Sequence, residues 1–351
     1  MVLNFKVLSK RPLLLHDILF SCDNKAIHTT LRCYNTSDKL VTESMIKILY
    51  RNLKDKELKI YERQFKVGSW IYAENPTTDE IDILAKDLKL DKGLLTDALD
   101  PYEVPRMERE DGITYIYTRV PDKEDGGIIT VPLLIAIGDK FTLTLSRKKL
   151  AFLEPFIDGT VEFYTTQKTK FLIHIFSAIN KRYSSLLTKI NRQVRTTKAH
   201  LSKIKSHDIV EFVNQEEILN DFLSALIPTN AALQKMLAGA YLRLYEEDKD
   251  LVEDLMLGTG ELIELCKHNM KNIVNIRNSY STIMTHNLNR TIKLLTALTI
   301  ILTVPTIIAS LYGMNVRLPY QDVSWAFAGI VTVTVTIIII LLALFKKNDW
   351  L

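Results

Sequence analysis

Five hydroxyls, Thr296, Thr299, Thr303, Thr306 and Ser310, recur at spacings of 3, 4, 3 and 4 residues in a stretch dominated by leucine and isoleucine. A mean step of 3.5 residues keeps one face of a helix in line. The same stripe continues backwards through Ile292 to Asn289. Two chemistries fit such a face. The hydroxyls line a water-filled path, or each bonds the carbonyl four residues before it and faces a neighbouring helix or lipid. Thr332, Thr334 and Thr336 lie two residues apart, which spreads them around a helix and favours the second use for them. Directly after the stripe stands a short uncharged Gly313-Met314-Asn315.

The elements that carry these residues are apolar enough to cross a bilayer. No charged residue occurs from Leu294 to Asn315, or from Ser324 to Phe345. About 20 apolar residues span the roughly 30 Å hydrocarbon layer. The second run is rich in β-branched residues, but its length and lack of charge favour a membrane helix over a strand. The short connection suits a tight external hairpin. Arg290 and Lys293 precede the first span and Lys346 and Lys347 follow the second, which places both termini in the cytosol. Trp325 and Trp350 fit opposite interfaces of the second span. Two helices cannot enclose a water path, so a pore requires several copies about an axis.

Other classes find little support. Net charge is +4 with acids and bases nearly balanced, unlike the clustered basic excess of a nucleic-acid binder. Cys22, Cys33 and Cys266 form no CxxC pair and are read as reduced thiols. There is no P-loop, GxGxxG, HExxH or nucleophile elbow, so an enzyme has no catalytic constellation behind it. Lys6, Lys10 and Arg11 precede an apolar patch broken by His16 and Asp17, which is not a signal peptide.

Upstream, Pro76-Thr77-Thr78-Asp79-Glu80 reads as a helix start followed by apolar Ile81, Leu84 and Leu88. Alternation over 113–120, 131–137 and 141–145, with Gly138-Asp139-Lys140 between the last two, predicts strands and a hairpin. From Thr169 onward glycine and proline are sparse, and a last helix is expected from about Leu262 through the membrane to Ser310. Its basic residues Lys267, Lys271, Arg277, Arg290 and Lys293 form a solvated face or a ring near the pore.

Tyr312-Gly313-Met314-Asn315 at the outer end of the penultimate span resembles the signature of the CorA family of divalent-cation channels. Pro305-Thr306, Lys346-Lys347, Trp350-Leu351 and the run LLTDALDPYEVPRMER (94–109) also look like that family, and the resemblance covers roughly residues 65–351. It implies an α/β cytosolic domain followed by long stalk helices and two transmembrane helices, in a funnel-shaped homopentamer. The corresponding organisation is an N-terminal extension over 1–44, an α/β domain over 45–165 and long helices over 166–290. The first span is 291–313, the external loop 314–323, the second span 324–346 and the cytosolic tail 347–351. Residues 1–44 carry no recognised motif, and Met45 is read as an alternative natural start.

The resemblance further implies uptake of Mg2+, with Co2+ or Ni2+ as other cargo, across the cell membrane and down its potential. Gly313, Met314 and Asn315 become the selectivity filter. Mg2+ gives up water reluctantly, and a ring of Asn315 carbonyls accepts hydrogen bonds from the hydrated ion without binding it too tightly to leave. Gly313 is read as taking positive φ to end the helix, with Met314 packed against the turn. Asn289, Ile292, Leu295, Thr299, Thr303, Thr306 and Ser310 line the pore. Relatives often carry a bulky hydrophobe where Thr303 stands, which leaves Leu295 and Ile292 for a dewetted gate. Cytosolic Mg2+ bound between subunits at Asp97 and Asp254, with Asp100 and Glu253 nearby, closes the channel. One departure favours a membrane-anchored metal sensor or scaffold instead: after the motif come Val316, Arg317, Leu318 and Pro319, and the only acid of the loop is Asp322. A Zn2+ transporter of the same fold is the other alternative, although zinc-exporting cousins usually carry isoleucine in place of Met314.

Overall fold

The computed structural model describes residues 45–61, 65–124, 127–198, 206–242, 244–316, 323–348 and 350. The extension read over 1–44, with Cys22 and Cys33, and the loop residues Arg317, Leu318, Pro319 and Asp322 lie outside them.

Seven strands form one sheet: β1 (Met45–Tyr50), β2 (Lys59–Tyr61), β3 (Ser69–Glu74), β4 (Arg106–Glu110), β5 (Ile113–Glu124), β6 (Gly127–Ile137) and β7 (Phe141–Ser146). Their order is β2-β1-β3-β7-β6-β5-β4. Only the central β3–β7 pair is parallel; the other pairs are antiparallel. The central strands are buried on both faces, so their side chains feed two cores. Ile71, Ala73, Leu134, Ala136, Leu143 and Leu145 point to one, where helices α1 (Thr78–Leu88) and α2 (Lys92–Asp97) supply Ile81, Leu84, Leu94 and Leu95. Trp70, Tyr72, Leu133 and Ile135 point to the other, which is covered by α4 (Lys168–Lys198), α5 (Ser206–Leu237) and α6 (Glu246–Tyr312). A short helix, α3 (Glu154–Ile157), contributes Phe156 to the second core.

The expected helix start after Pro76 is present. Thr77 accepts from the Glu80 backbone at 3.3 Å and the Glu80 carboxylate accepts from the Thr77 backbone at 2.8 Å, a reciprocal cap that satisfies two orphan donors. The expected β6–β7 hairpin also forms, closed by Gly138 N donating to Phe141 O at 3.1 Å. Glycine is required there, because a Cβ would stand 2.7 Å from the Phe141 ring. Trp70 ties the parallel pair together: its Nε1 donates to Thr144 Oγ1 at 2.8 Å and its ring packs on Phe163 and Phe171.

Helix α6 is 67 residues long, about 100 Å at 1.5 Å per residue. It starts sixteen residues before the expected Leu262 and runs through Gly258 and Gly260. Each glycine costs about 1 kcal/mol of helix propensity, and packing against α4 offsets it. Thr259, fully buried between them, donates to Leu255 O at 2.7 Å and accepts from Asn180 of α4 at 3.0 Å. Beyond Ile276 the helix leaves its own chain: no side chain from Arg277 to Thr296 is buried.

Candidate ion pathway and cation site

The membrane end consists of the outer part of α6 and the antiparallel α7 (Ala326–Lys347), which contains no buried residue. Apolar windows in these helices reach mean hydropathies of 2.2 and 2.8, and the share buried within the protein is 6% and 0%. These are two membrane spans.

Burial along α6 identifies the side that α7 covers. Ala297 is fully buried, and Ile300, Ile301, Val304, Pro305 and Ile308 are half-buried. Matching half-buried positions on α7 are Ala326, Gly329, Ile330, Thr334, Ile337, Ile338 and Leu341. At about 100° per residue, the α7-facing set centres near Ala297. Asn289, Ile292, Leu295, Thr299, Thr303, Thr306 and Ser310 fall within an arc of about 120° on the opposite side. All seven are exposed in the single chain. The stripe read from spacing is therefore one face of α6, turned away from the partner span.

Back-bonding does not separate the two uses of a hydroxyl. Thr299, Thr303 and Thr306 donate to Leu295, Thr299 and Leu302 carbonyls at 2.8, 2.7 and 2.8 Å. Thr332, Thr334 and Thr336 in α7 do the same at 2.8 Å each. A hydroxyl that gives its proton to its own helix still presents oxygen lone pairs outward. Which face the residue stands on then decides its use.

Gly313 caps α6 with φ −83° and ψ 1°, not with the positive φ expected of it. Its N–H donates to Ala309 O at 2.9 Å. Met314 is 49% exposed and Asn315 is exposed, so the packing expected of Met314 is not made within one chain.

Asp97 is the last residue of α2, half-buried at the sheet edge. Its Oδ2 accepts from Arg106 Nη2 at 2.9 Å. Arg106 is also paired with Glu103 and Glu108, and its guanidinium lies 4.0 Å over the Tyr117 ring. Burial works against the Arg106 charge, but Glu108 and Asp97 more than compensate and raise its pKa. Neighbouring Asp100 accepts from Tyr102 N at 2.9 Å. Asp254 and Glu253 stand exposed on α6. Among the described residues, no three His, Cys, Asp or Glu side chains converge to hold a metal within one chain. The position of Arg106 at the centre of three carboxylates was not visible in the sequence, where it is one base in the run PRMER.

Of the basic residues on α6, Lys267 pairs with Glu264 at 2.7 Å and Arg277 with Glu216 of α5 at 2.5 Å. These two are engaged in ion pairs within the chain.

Comparison with known proteins places this architecture. A profile of the CorA-like Mg2+ transporter protein family matches residues 65–347. The cobalt/magnesium transport protein CorA of Methanocaldococcus jannaschii is 25% identical over 294 residues, which is 80% of this chain and 91% of that protein. The complete structure of CorA magnesium transporter from the same organism superposes with a TM-score of 0.76 at 22% identity, covering 88% of this chain and 99% of the other. The full-length CmaX protein gives a TM-score of 0.64 at 14% identity, covering 84% and 96%. With an N-terminal α/β domain, one long helix running into the membrane and the family profile spanning residues 65–347, this chain belongs to the CorA-like Mg2+ transporter family.

Proposed function

We propose that this protein is a channel for Mg2+ uptake, with Co2+ or Ni2+ as further cargo, built as a funnel-shaped homopentamer with both termini in the cytosol. Residues 45–165 and 166–290 form its cytosolic part, 291–313 and 324–346 its spans, and 314–323 the external loop. The observation that carries this reading is the placement of the hydroxyl stripe on the side of α6 away from α7. Copies arranged about an axis with α7 outermost would turn Asn289, Ile292, Leu295, Thr299, Thr303, Thr306 and Ser310 inward together. The uncovered length of α6 supports assembly as well: Ile283, Met284, Leu288 and Leu295 are exposed there, and further copies would bury them. Gly313, Met314 and Asn315 then ring the outer mouth as the filter. A divalent ion gains about 4.6 kcal/mol per 100 mV on entering, twice the single-charge value.

Cytosolic Mg2+ closes the channel by binding between subunits. Mg2+ takes hard oxygen ligands, keeps several waters and is usually held by one or two carboxylates. Asp97 and Asp254 suit that donor set, both being accessible to solvent. They would come from adjacent subunits and repel one another until a cation joins them.

The test is Mg2+ flux into liposomes at negative-inside potential, for the natural protein beside Asn315→Ala. Flux that disappears in the variant supports the channel and its filter. No flux from folded, oligomeric natural protein sinks the reading and favours a membrane-anchored metal sensor. The external loop, with Asp322 as its only acid, favours that second reading.

A further inference from the structure

Asp97 is not a bare carboxylate waiting for an ion. Arg106 already holds its Oδ2 at 2.9 Å, and among the described residues no contact is made to its Oδ1. Arg106 is held independently of Asp97, by Glu103, by Glu108 and by the face of Tyr117. Tyr117 is itself fixed, its hydroxyl donating to Leu94 O in α2 at 2.6 Å. A cation arriving at Asp97 therefore meets a positive charge that has two other carboxylates to keep it in place. It must either displace the guanidinium from Oδ2 or bind Oδ1 beside it. Both routes lower affinity.

We propose that Arg106 is a tethered competitor cation, a positioning residue that sets how much cytosolic Mg2+ is needed to occupy Asp97. This rests on the reading of Asp97 as a cation ligand. Even at the dielectric of bulk water, a unit positive charge about 6 Å from a divalent ion weakens its binding about tenfold, and a lower local dielectric increases the effect. The side chains of Arg106 and Asp97 are 31% and 46% exposed, so the pair stands between those limits. The arrangement has a functional sense: without Arg106, Asp97 and Glu108, 46% and 40% exposed, would keep their charge uncompensated and the site would fill at a lower Mg2+ concentration.

The experiment measures the Mg2+ concentration that half-protects the full-length, detergent-solubilised protein from limited proteolysis, with isothermal titration as a second readout. Arg106→Gln is expected to lower it about tenfold or more. Arg106→Lys keeps the charge and is expected to stay near the natural value. Arg106→Gln with Asp97→Asn is expected to lose the gain, which places the effect at that carboxylate. An unchanged or higher midpoint in a folded Arg106→Gln protein overturns the proposal, and so does an Arg106→Lys midpoint that shifts as far as the glutamine variant. Should the glutamine variant fail to fold, Glu108→Gln tests the same device with opposite sign. It frees Arg106 for Asp97 and is expected to raise the midpoint; an unchanged or lower value overturns the proposal. Asp97→Asn alone separates the two levels. If it leaves Mg2+ binding unchanged, Asp97 is not a ligand and both readings fall. If it weakens binding while Arg106→Gln has no effect, only the competitor role falls.

Discussion

Single cysteines placed along α6 should report which face meets water, and the protein supplies its own silent reference. Cys266 is fully buried, and burial pushes its pKa up to about 12. The thiolate is the nucleophile, and an exposed thiol has a pKa near 8.5. At about pH 7.5 roughly one exposed thiol in ten is ionised, and buried Cys266 far less, before access is counted. Cys266 can stay in place while Cys22 and Cys33 are replaced by serine. In that background Thr299→Cys, Thr303→Cys and Thr306→Cys stand on one face, and Ile301→Cys, Val304→Cys and Ile308→Cys on the other. The two sets lie about 180° apart on a cylinder about 10 Å across, so a water-filled axis can reach only one of them. The assay is the modification rate by a small charged thiosulfonate in reconstituted protein. Thr-derived thiols should react clearly faster than those facing α7, because the charged reagent needs water to reach a thiolate. Equal rates on the two faces, or faster reaction at Ile301, Val304 and Ile308, would refute the assignment of the stripe to a water path.

Three further outcomes follow from the packing. Thr144→Val removes the acceptor of the buried Trp70 Nε1 and should cost about 1–3 kcal/mol, the penalty of a stranded donor, read as a lower thermal midpoint with the fold retained. Gly138→Ala drives a methyl into the Phe141 ring and should cost about 1–3 kcal/mol, measured by chemical denaturation. Replacing exposed Ile283 and Met284 together by serine should weaken assembly, read as smaller species by light scattering; an unchanged assembly would count against burial of this stretch by further copies.

Much of this was legible in the residues. The cap at Thr77–Glu80 and the hairpin at Gly138 depend on local chemistry, and local chemistry is what sequence carries. The hydroxyl spacing identified one face of α6, because helix periodicity converts spacing directly into direction. The side on which α7 packs was not legible, since Ile301, Val304 and Ile308 look no different from the other aliphatic residues around them. Strand β4 was missed because RMERE reads as charged surface, and only Met107 turns inward to the core. The last helix was expected only from about Leu262, while the buried contact of Thr259 with Asn180 carries it through Gly258 and Gly260 from Glu246. Gly313 invited a left-handed cap, and the structure gives it φ −83° instead, a conformation that does not require glycine.

The placement of the proposed cation site and the stripe constrains how one would act on the other. Asp254 and Thr303 lie on the same unbroken helix, about 70 Å apart at 1.5 Å per residue. No glycine interrupts α6 beyond Gly260, and it stays helical through Pro305. Near its start it is clamped by α4 and α5 through Val252, Leu255, Leu262, Cys266 and Ile273. From Arg277 to Thr296 its own chain buries nothing. A shaft held at one end and free in the middle transmits a small rotation at the clamp as a larger displacement at its far end. A cation that draws Asp254 towards a neighbouring Asp97 would therefore act as a change of helix angle, without local unfolding. Arg106, on the proposal above, would bear on the same step by setting the cation concentration at which that draw begins. On the proposed reading, sensing would lie near the clamp, where ion pairs and burial fix geometry, and conduction at the far end, where within one chain only α7 packs on α6.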